Sequence, residues 1–405
     1  MKGKNEQRHP LTGIEVLDLA DEKASFCSRL LADWGARVVK VERPGGDPSR
    51  NVGPFWGNSP DTERSLSFYY NNANKLGITL NLEHGDGRRI FTELVQGHDV
   101  LVESFPAGYL DEIDLGSKVL SEINPRLIHL SISGFGQNGP RKKYKSCDLV
   151  ASAFGGQMYV SGSPDRPPLK HFSDQSYYSA SLFGAIGILL GLRKRASSGK
   201  GEYIDVSLQE AVAATLEHVI PHYFGERLIS KRQGNLQRDS GFCILPCKDG
   251  FILLTSFQQW DTLVEWMDNE GMAEDLKDEK WKTEEYRLKH LDHIVEILTC
   301  WTKTHTTCHL FQTGQLMRFP WAPVCSLKEV LSSPQHKARH FFADMDHPGL
   351  TEPLKYPYPP FRFGSELVKK LKRAPLIGED NFQVFKKELG MSSDEIMRLS
   401  SIGVI

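Results

Sequence analysis

Asp174 closes the run Leu169-Lys-His-Phe-Ser-Asp174 and stands directly before a long apolar segment, read as a helix over roughly 175–195. A carboxylate at a helix start lies in the favourable end of the dipole and close to free backbone N–H groups. That setting keeps it ionised, and so nucleophilic, near neutral pH. On the sequence alone the commoner use of such an aspartate, beside Ser173, is as a helix cap. Competing chemistries fail on spacing. Cys243 and Cys247 are separated by three residues and His305, Cys308 and His309 cluster later, but no second pair has zinc-finger spacing. Ordinary buried thiols and surface histidines are expected there, and no metal site. Gly199-Lys200 precedes Gly201 where a phosphate-cradling loop needs Ser or Thr, and position 194 is Lys rather than Gly. Ser161-Gly-Ser163 comes near a hydrolase elbow, but no Gly-x-Ser-x-Gly occurs.

The elements that would hold these residues begin with a βαβ unit. Gly13 to Leu19 reads as a strand, 22–34 as a helix with apolar positions Ala24, Cys27, Leu30, Leu31 and Trp34, and Val38 to Glu42 as a second strand. Gly35 ends the helix. The turn Leu19-Ala-Asp-Glu-Lys-Ala-Ser25 has no glycine and two acids, which disfavours a dinucleotide pyrophosphate. Strands at Leu76–Leu82, Asp99–Glu103 and Leu127–Ser133, with a helix over Gly87–Gln96, predict an α/β fold with a Rossmann-like, doubly wound parallel sheet. Ile204–Ser207 reads as a further strand and Leu208–Tyr223 as one helix. Composition then shifts, and three segments follow: 1–222 as the first part of a large domain, 226–330 as a smaller α+β domain, and 335–405 completing the large one. The stretch Ala180–Leu192, with three glycines, is too short to span a bilayer and reads as a buried helix. A net charge of -2 favours neither nucleic acid nor an anionic membrane. The polar start MKGKNEQRHP and seven scattered cysteines predict a cytoplasmic protein with reduced thiols.

Taken together, several motifs resemble the family III CoA-transferases, a family that includes α-methylacyl-CoA racemases. The carriers are Gly13 to Leu19, Trp34-Gly35-Ala-Arg-Val-Val-Lys-Val-Glu-Arg-Pro44, Asn74-Lys75-Leu-Gly-Ile-Thr-Leu80, Asn124 to Ile128, Gly134-Phe-Gly-Gln137-Asn-Gly-Pro140 and Ser198 to Ser207, in family order and nearly end to end. The resemblance implies a large Rossmann-like domain built from both chain ends, a small inserted domain and an interlocked dimer. It implies Asp174 as nucleophile, carrying first an acyl group as mixed anhydride and then CoA as thioester. It implies CoA contacts at Arg43, with Lys75 and Lys145 as further carry-overs, and Gln137 in a loop over the substrate. CoA thioester is then a substrate and no resident cofactor is expected; the partners are acyl-CoA, a carboxylic acid, and a second copy or a homologous subunit. The usual Asn-Phe-Arg-Pro-Gly is Ser104-Phe105-Pro106-Ala107-Gly108 here, which removes an arginine. Racemisation is the alternative reading, but family racemases place His-Asp where this chain has Cys147-Asp148, so the usual partner base is missing; a non-catalytic subunit is another alternative. The stretch Asp174-Gln-Ser-Tyr-Tyr-Ser is most similar to members acting on aromatic or branched hydroxy acids and substituted succinates. His171, Tyr177 and Tyr178 are candidates for the acyl pocket, although helix-borne tyrosines more often pack.

Overall fold

The computed structural model describes residues 9–237, 241–255, 259–363 and 371–405; the polar N-terminal stretch over 1–8 lies outside them. The chain divides into two compact units, one of 1–157, 171–217 and 335–405, the other of 158–170 and 218–334.

In the first unit six strands, β1 (Glu15–Asp18), β2 (Arg37–Glu42), β3 (Leu76–Thr79), β4 (Val100–Glu103), β5 (Ile128–Ser133) and β6 (Glu202–Ser207), form one sheet in the order β3-β2-β1-β4-β5-β6. Every pairing is parallel. β4 and β5 are buried throughout, and β1 to β3 from their second residue on, because helices cover both faces. The helices of this unit up to Ala213 are α1 (Ser25–Asp33), α2 (Leu66–Asn71), α3 (Gly85–Gln96), α4 (Tyr109–Glu112), α5 (Ser117–Ile123), α6 (Asp148–Phe154), α7 (Gln175–Ser198) and α8 (Leu208–Ala213), and a further helix, Ser393–Ser401, lies near the C-terminus. Val16, Val38, Val102, Leu130 and Ile132 pack with Leu31 of α1 and Ile188 of α7. On the other face Leu17, Val39, Ile78 and Leu101 pack with Ile90 and Phe91 of α3 and with Val384, Phe385, Leu399 and Val404 near the C-terminus. The C-terminal segment is also bonded to the sheet edge: Asp380 N–H donates to the Gly77 carbonyl at 2.8 Å and Asn81 N–H to that of Val404 at 2.7 Å.

α7 departs from the sequence reading. Its glycines form the face that seats it: a Cβ on Gly184 would stand 2.9 Å from Leu130, and one on Gly191 3.2 Å from Ile128. The bulky side chains Leu182, Phe183, Ile186, Leu189 and Leu190 face outward and are 36–65% exposed. The helix is therefore half buried, because close approach to the sheet takes the small residues and leaves the large ones outside. The single helix read over Leu208–Tyr223 is also corrected. α8 ends at Ala213, where Thr215 turns its hydroxyl onto the Val212 carbonyl at 2.7 Å, and a separate helix, α9 (Val219–Glu226), follows in the second unit.

The second unit holds a four-stranded antiparallel sheet of β7 (Leu236–Gln237), β8 (Phe242–Pro246), β9 (Phe251–Thr255) and β10 (Ala322–Pro323). Against it lie α10 (Trp260–Asn269), α11 (Glu284–Lys289), α12 (Leu291–Thr302) and α13 (Thr307–Leu316). Trp260, Trp266, Trp281, Trp301 and Trp321 dominate its core. Among the described residues no helix is long and apolar enough to cross a membrane.

Candidate active site

Asp174 occupies the N-cap position of α7, half buried, yet its side chain makes no capping hydrogen bond. Asp148, at the start of α6, takes over that task. Its Oδ1 accepts from the Ser176 backbone N–H at 2.9 Å and from the Ser176 hydroxyl at 2.7 Å. The Asp148 N–H in turn donates to the Tyr177 hydroxyl at 3.0 Å. A carboxylate thus stands at the positive end of a 24-residue helix without closing its first turn. The residue before it, Ser173, has φ of 60°, a left-handed conformation that costs a non-glycine residue free energy. Capping by Asp174, the plain reading of the sequence, is replaced by capping from a residue distant in sequence.

The two tyrosines pack. Tyr177 is buried against the sheet core. Tyr178 meets Phe26 edge-on at 4.8 Å. Burial first, with Tyr70 and the charge of Asp174 adding to it, pushes the Tyr178 phenol up to about 12. His171 is exposed.

Two clefts open at the carboxyl ends of the strands, where open α/β sheets bind ligands. One, of about 490 Å³, is lined by Leu19, Val41, Arg43, Asn81, Phe105 and Tyr109 among others. Arg43 is exposed on its wall, its Nε donating to the Gly46 carbonyl at 3.3 Å. The other, of about 470 Å³, is strongly basic: Lys23, Lys142, Lys143 and Lys145 share it with Ser133 and Gly134. Phe105 lines both, so the loop Ser104–Gly108 that departs from the family motif is the ridge between them. Ser104 ties this ridge to the turn after β1, its hydroxyl donating to Asp21 at 2.6 Å.

Lys75 and Gln137 are placed differently. The Lys75 ammonium is fully buried and hydrogen-bonded to Asp18 Oδ2 at 2.7 Å, the Ser25 carbonyl at 2.8 Å and Asn72 Oδ1 at 2.8 Å. Those three acceptors match its three protons, and it lines neither cleft. Burial brings it down to about 8 despite Asp18. Lys40 lies in the same web, on the Ala20 carbonyl at 2.6 Å and Asp47 at 3.2 Å. Burial opposes its charge, but Asp47, Asp18 and Glu42 outweigh that and raise it. Where a dinucleotide-binding turn would offer glycine N–H groups, this chain has a closed ion-pair web. Gln137 is also tied inward, its N–H on Asp205 at 2.9 Å and its side-chain amide on the Ser131 hydroxyl at 2.6 Å.

Gln137 joins a small pocket with Glu103, His129 and Tyr203 that the sequence did not single out. Among the described residues neither His129 nitrogen has a hydrogen-bond partner, and burial brings the ring down to about 4. Glu103 is pushed up to about 7, chiefly by burial, against hydrogen bonds from Ser131 and the Phe105 N–H. A carboxyl that holds its proton more tightly folded than unfolded costs nothing below pH 4.5 and its full penalty above about 7. Glu103→Gln is therefore expected to stabilise the protein above pH 7, by up to about 3 kcal/mol. It should also flatten the loss of stability between pH 4.5 and 7; denaturant melts across that range check it.

The model of CoA-transferase family III matches residues 11–381, and the chain belongs to that family. It is 32% identical to succinyl-CoA:(R)-benzylsuccinate CoA-transferase subunit BbsE of Thauera aromatica over 97% of each chain. It is 31% identical to the succinyl-CoA:glutarate CoA-transferase of Mus musculus, over 98% of this chain and 90% of that one. A CAIB/BAIF family protein from Brucella suis superposes with a TM-score of 0.83 at 30% identity, covering 94% of this chain and all of that one. The chain is thus an enzyme of the CoA-transferase class, and the family and the α/β fold with a parallel sheet expected from its motifs hold.

Proposed function

We propose that the protein moves CoA from an acyl-CoA donor to a small carboxylic acid, with Asp174 as nucleophile. The observation that carries this is the carboxylate at the head of α7, relieved of capping by Asp148. Asp174 attacks the donor carbonyl and expels CoA thiolate, leaving a mixed anhydride. The thiolate attacks the aspartyl carbonyl, giving an aspartyl-CoA thioester and the free donor acid. The acceptor carboxylate attacks that thioester and the steps reverse. One thioester is broken and one is made, so no ATP and no resident cofactor are needed. Arg43 and the lysines around Lys145 suit the phosphates of CoA. Lys75 acts from beneath as a structural cation, and Gln137 braces the glycine loop. Succinyl-CoA is the donor to try first, because the relatives at about 31–32% identity carry it in their names.

The outward face of α7, Leu182, Phe183, Ile186, Leu189 and Leu190, is apolar beyond what an isolated chain tolerates well, and a second copy is its proposed cover. BbsE is named as a subunit, which makes a homologous chain the competing cover. One experiment addresses both points: light scattering of the purified chain, then an assay with succinyl-CoA and a panel of dicarboxylic and hydroxy acids. The expected result is a particle of twice the chain mass that transfers CoA. An inert monomer would point to an obligate second subunit, and α-proton exchange without transfer to a racemase.

A further inference from the structure

Glu270, His305 and His309, all in the second unit, bring three potential metal-ligand atoms within 4.8 Å of one another. The sequence grouped the two histidines with Cys308; the fold replaces that exposed thiol by Glu270, the C-cap of α10.

The Trp301 carbonyl beside the ring favours one tautomer of His305. Its Nδ1 lies 3.1 Å from the Trp301 carbonyl and 2.9 Å from the Thr304 hydroxyl, which itself donates to that carbonyl at 2.7 Å. A carbonyl only accepts, so Nδ1 carries the proton. In the neutral ring Nε2 then presents a lone pair, and it stands 3.1 Å from Glu270 Oε2. The carboxylate is held in place: Trp266 Nε1 donates to Oε1 at 2.8 Å and Trp301 Nε1 to Oε2 at 2.6 Å. Two electron pairs facing each other at this distance require a cation between them, either a second ring proton or a metal ion. A proton needs only the pair. The third donor, His309, whose ring is stacked 5.2 Å from that of His305, favours the metal.

We propose that Glu270, His305 and His309 bind a late first-row divalent cation, zinc foremost, with water completing the shell. Two imidazoles and one carboxylate are an established zinc donor set, and the 3.1 Å separation is close to the edge of about 3.4 Å between ligands of a tetrahedral site. Each ligand also has an orienting partner behind it or a fixed backbone. Trp301 and Thr304 orient His305, the two indoles hold Glu270, and the Thr306 hydroxyl caps the His309 N–H at 3.2 Å. Exposed His309 closes the site by side-chain rotation. The ion would join the end of α10 to the start of α13, and the proposal does not depend on the transferase reading.

The test uses the full chain, stripped with chelator and titrated with zinc against a chromogenic competitor, and separately with cobalt for its visible absorption. The expected result is a single site with a Kd of roughly 10 µM or tighter. His309→Ala should weaken it by about tenfold or more and abolish the zinc-induced rise in melting temperature. Cys308→Ser should bind as the parent does. Absence of binding by the parent chain at 100 µM zinc, unchanged affinity in His309→Ala, or a loss in Cys308→Ser would each overturn the proposal.

Discussion

Asp174→Asn is expected to reduce CoA transfer by about a thousandfold or more while leaving the fold intact. The amide is nearly the same shape but is not a nucleophile toward a thioester, so neither the anhydride nor the enzyme-bound thioester forms. The fold should hold because asparagine is nearly the same shape and is itself well tolerated at an N-cap. The separation of the two roles gives the prediction its contrast. Asp148 does the capping, through Ser176 at 2.9 and 2.7 Å, so Asp148→Ala should cost about 1–2 kcal/mol of stability together with activity. Intact-protein mass spectrometry provides the direct readout. The parent chain incubated with its donor should gain the mass of an acyl group or of CoA on the peptide bearing Asp174, and Asp174→Asn should gain neither. Undiminished transfer by Asp174→Asn would remove the nucleophile from the mechanism.

What the sequence disclosed follows from which interactions are local. The central strands are buried on both faces, and so their apolar runs, such as Val38 to Val41 and Val100 to Val102, stand out without knowledge of their neighbours. Gly35, with φ of 102°, ends α1 as a local rule demands. α7 was harder, because composition does not say which face of an apolar helix meets the sheet; the glycine spacing 184, 187, 191 carried that information. The relief of Asp174 by Asp148 depends on a contact between residues far apart in the chain, and the sequence reading used Cys147-Asp148 only to weigh racemisation. Glu103 and His129 end up in one pocket through the β4–β5 pairing, which no periodicity reveals. Arg43 follows the second strand of a recognisable βαβ unit and does reach a cleft, whereas Lys75, a weaker carry-over from its motif, turns inward.

That difference between Arg43 and Lys75 can be tested by separating stability from binding. Lys75→Met should destabilise the protein by about 3–5 kcal/mol, because it strands the fully buried Asp18 carboxylate. Asp18 would keep the Ala20 N–H at 2.9 Å and the Ser28 hydroxyl at 2.6 Å but lose the only ammonium bonded to it among the described residues. The melting temperature should fall by roughly 10 °C. In the fraction that remains folded, KM for the CoA thioester should change little, since Lys75 Nζ is directed to Asp18, Ser25 and Asn72 rather than to a cleft. Arg43→Ala should behave in the opposite way, raising KM with hardly any loss of stability, because its side chain is exposed on the cleft wall. Adding Asp18→Asn to Lys75→Met removes the stranded charge while keeping an acceptor for Ser28, and should recover part of the loss. If Lys75→Met instead melts like the parent and binds CoA thioester poorly, the lysine meets the substrate after all, and the ion-pair web beneath β1 is not what holds this part of the sheet together.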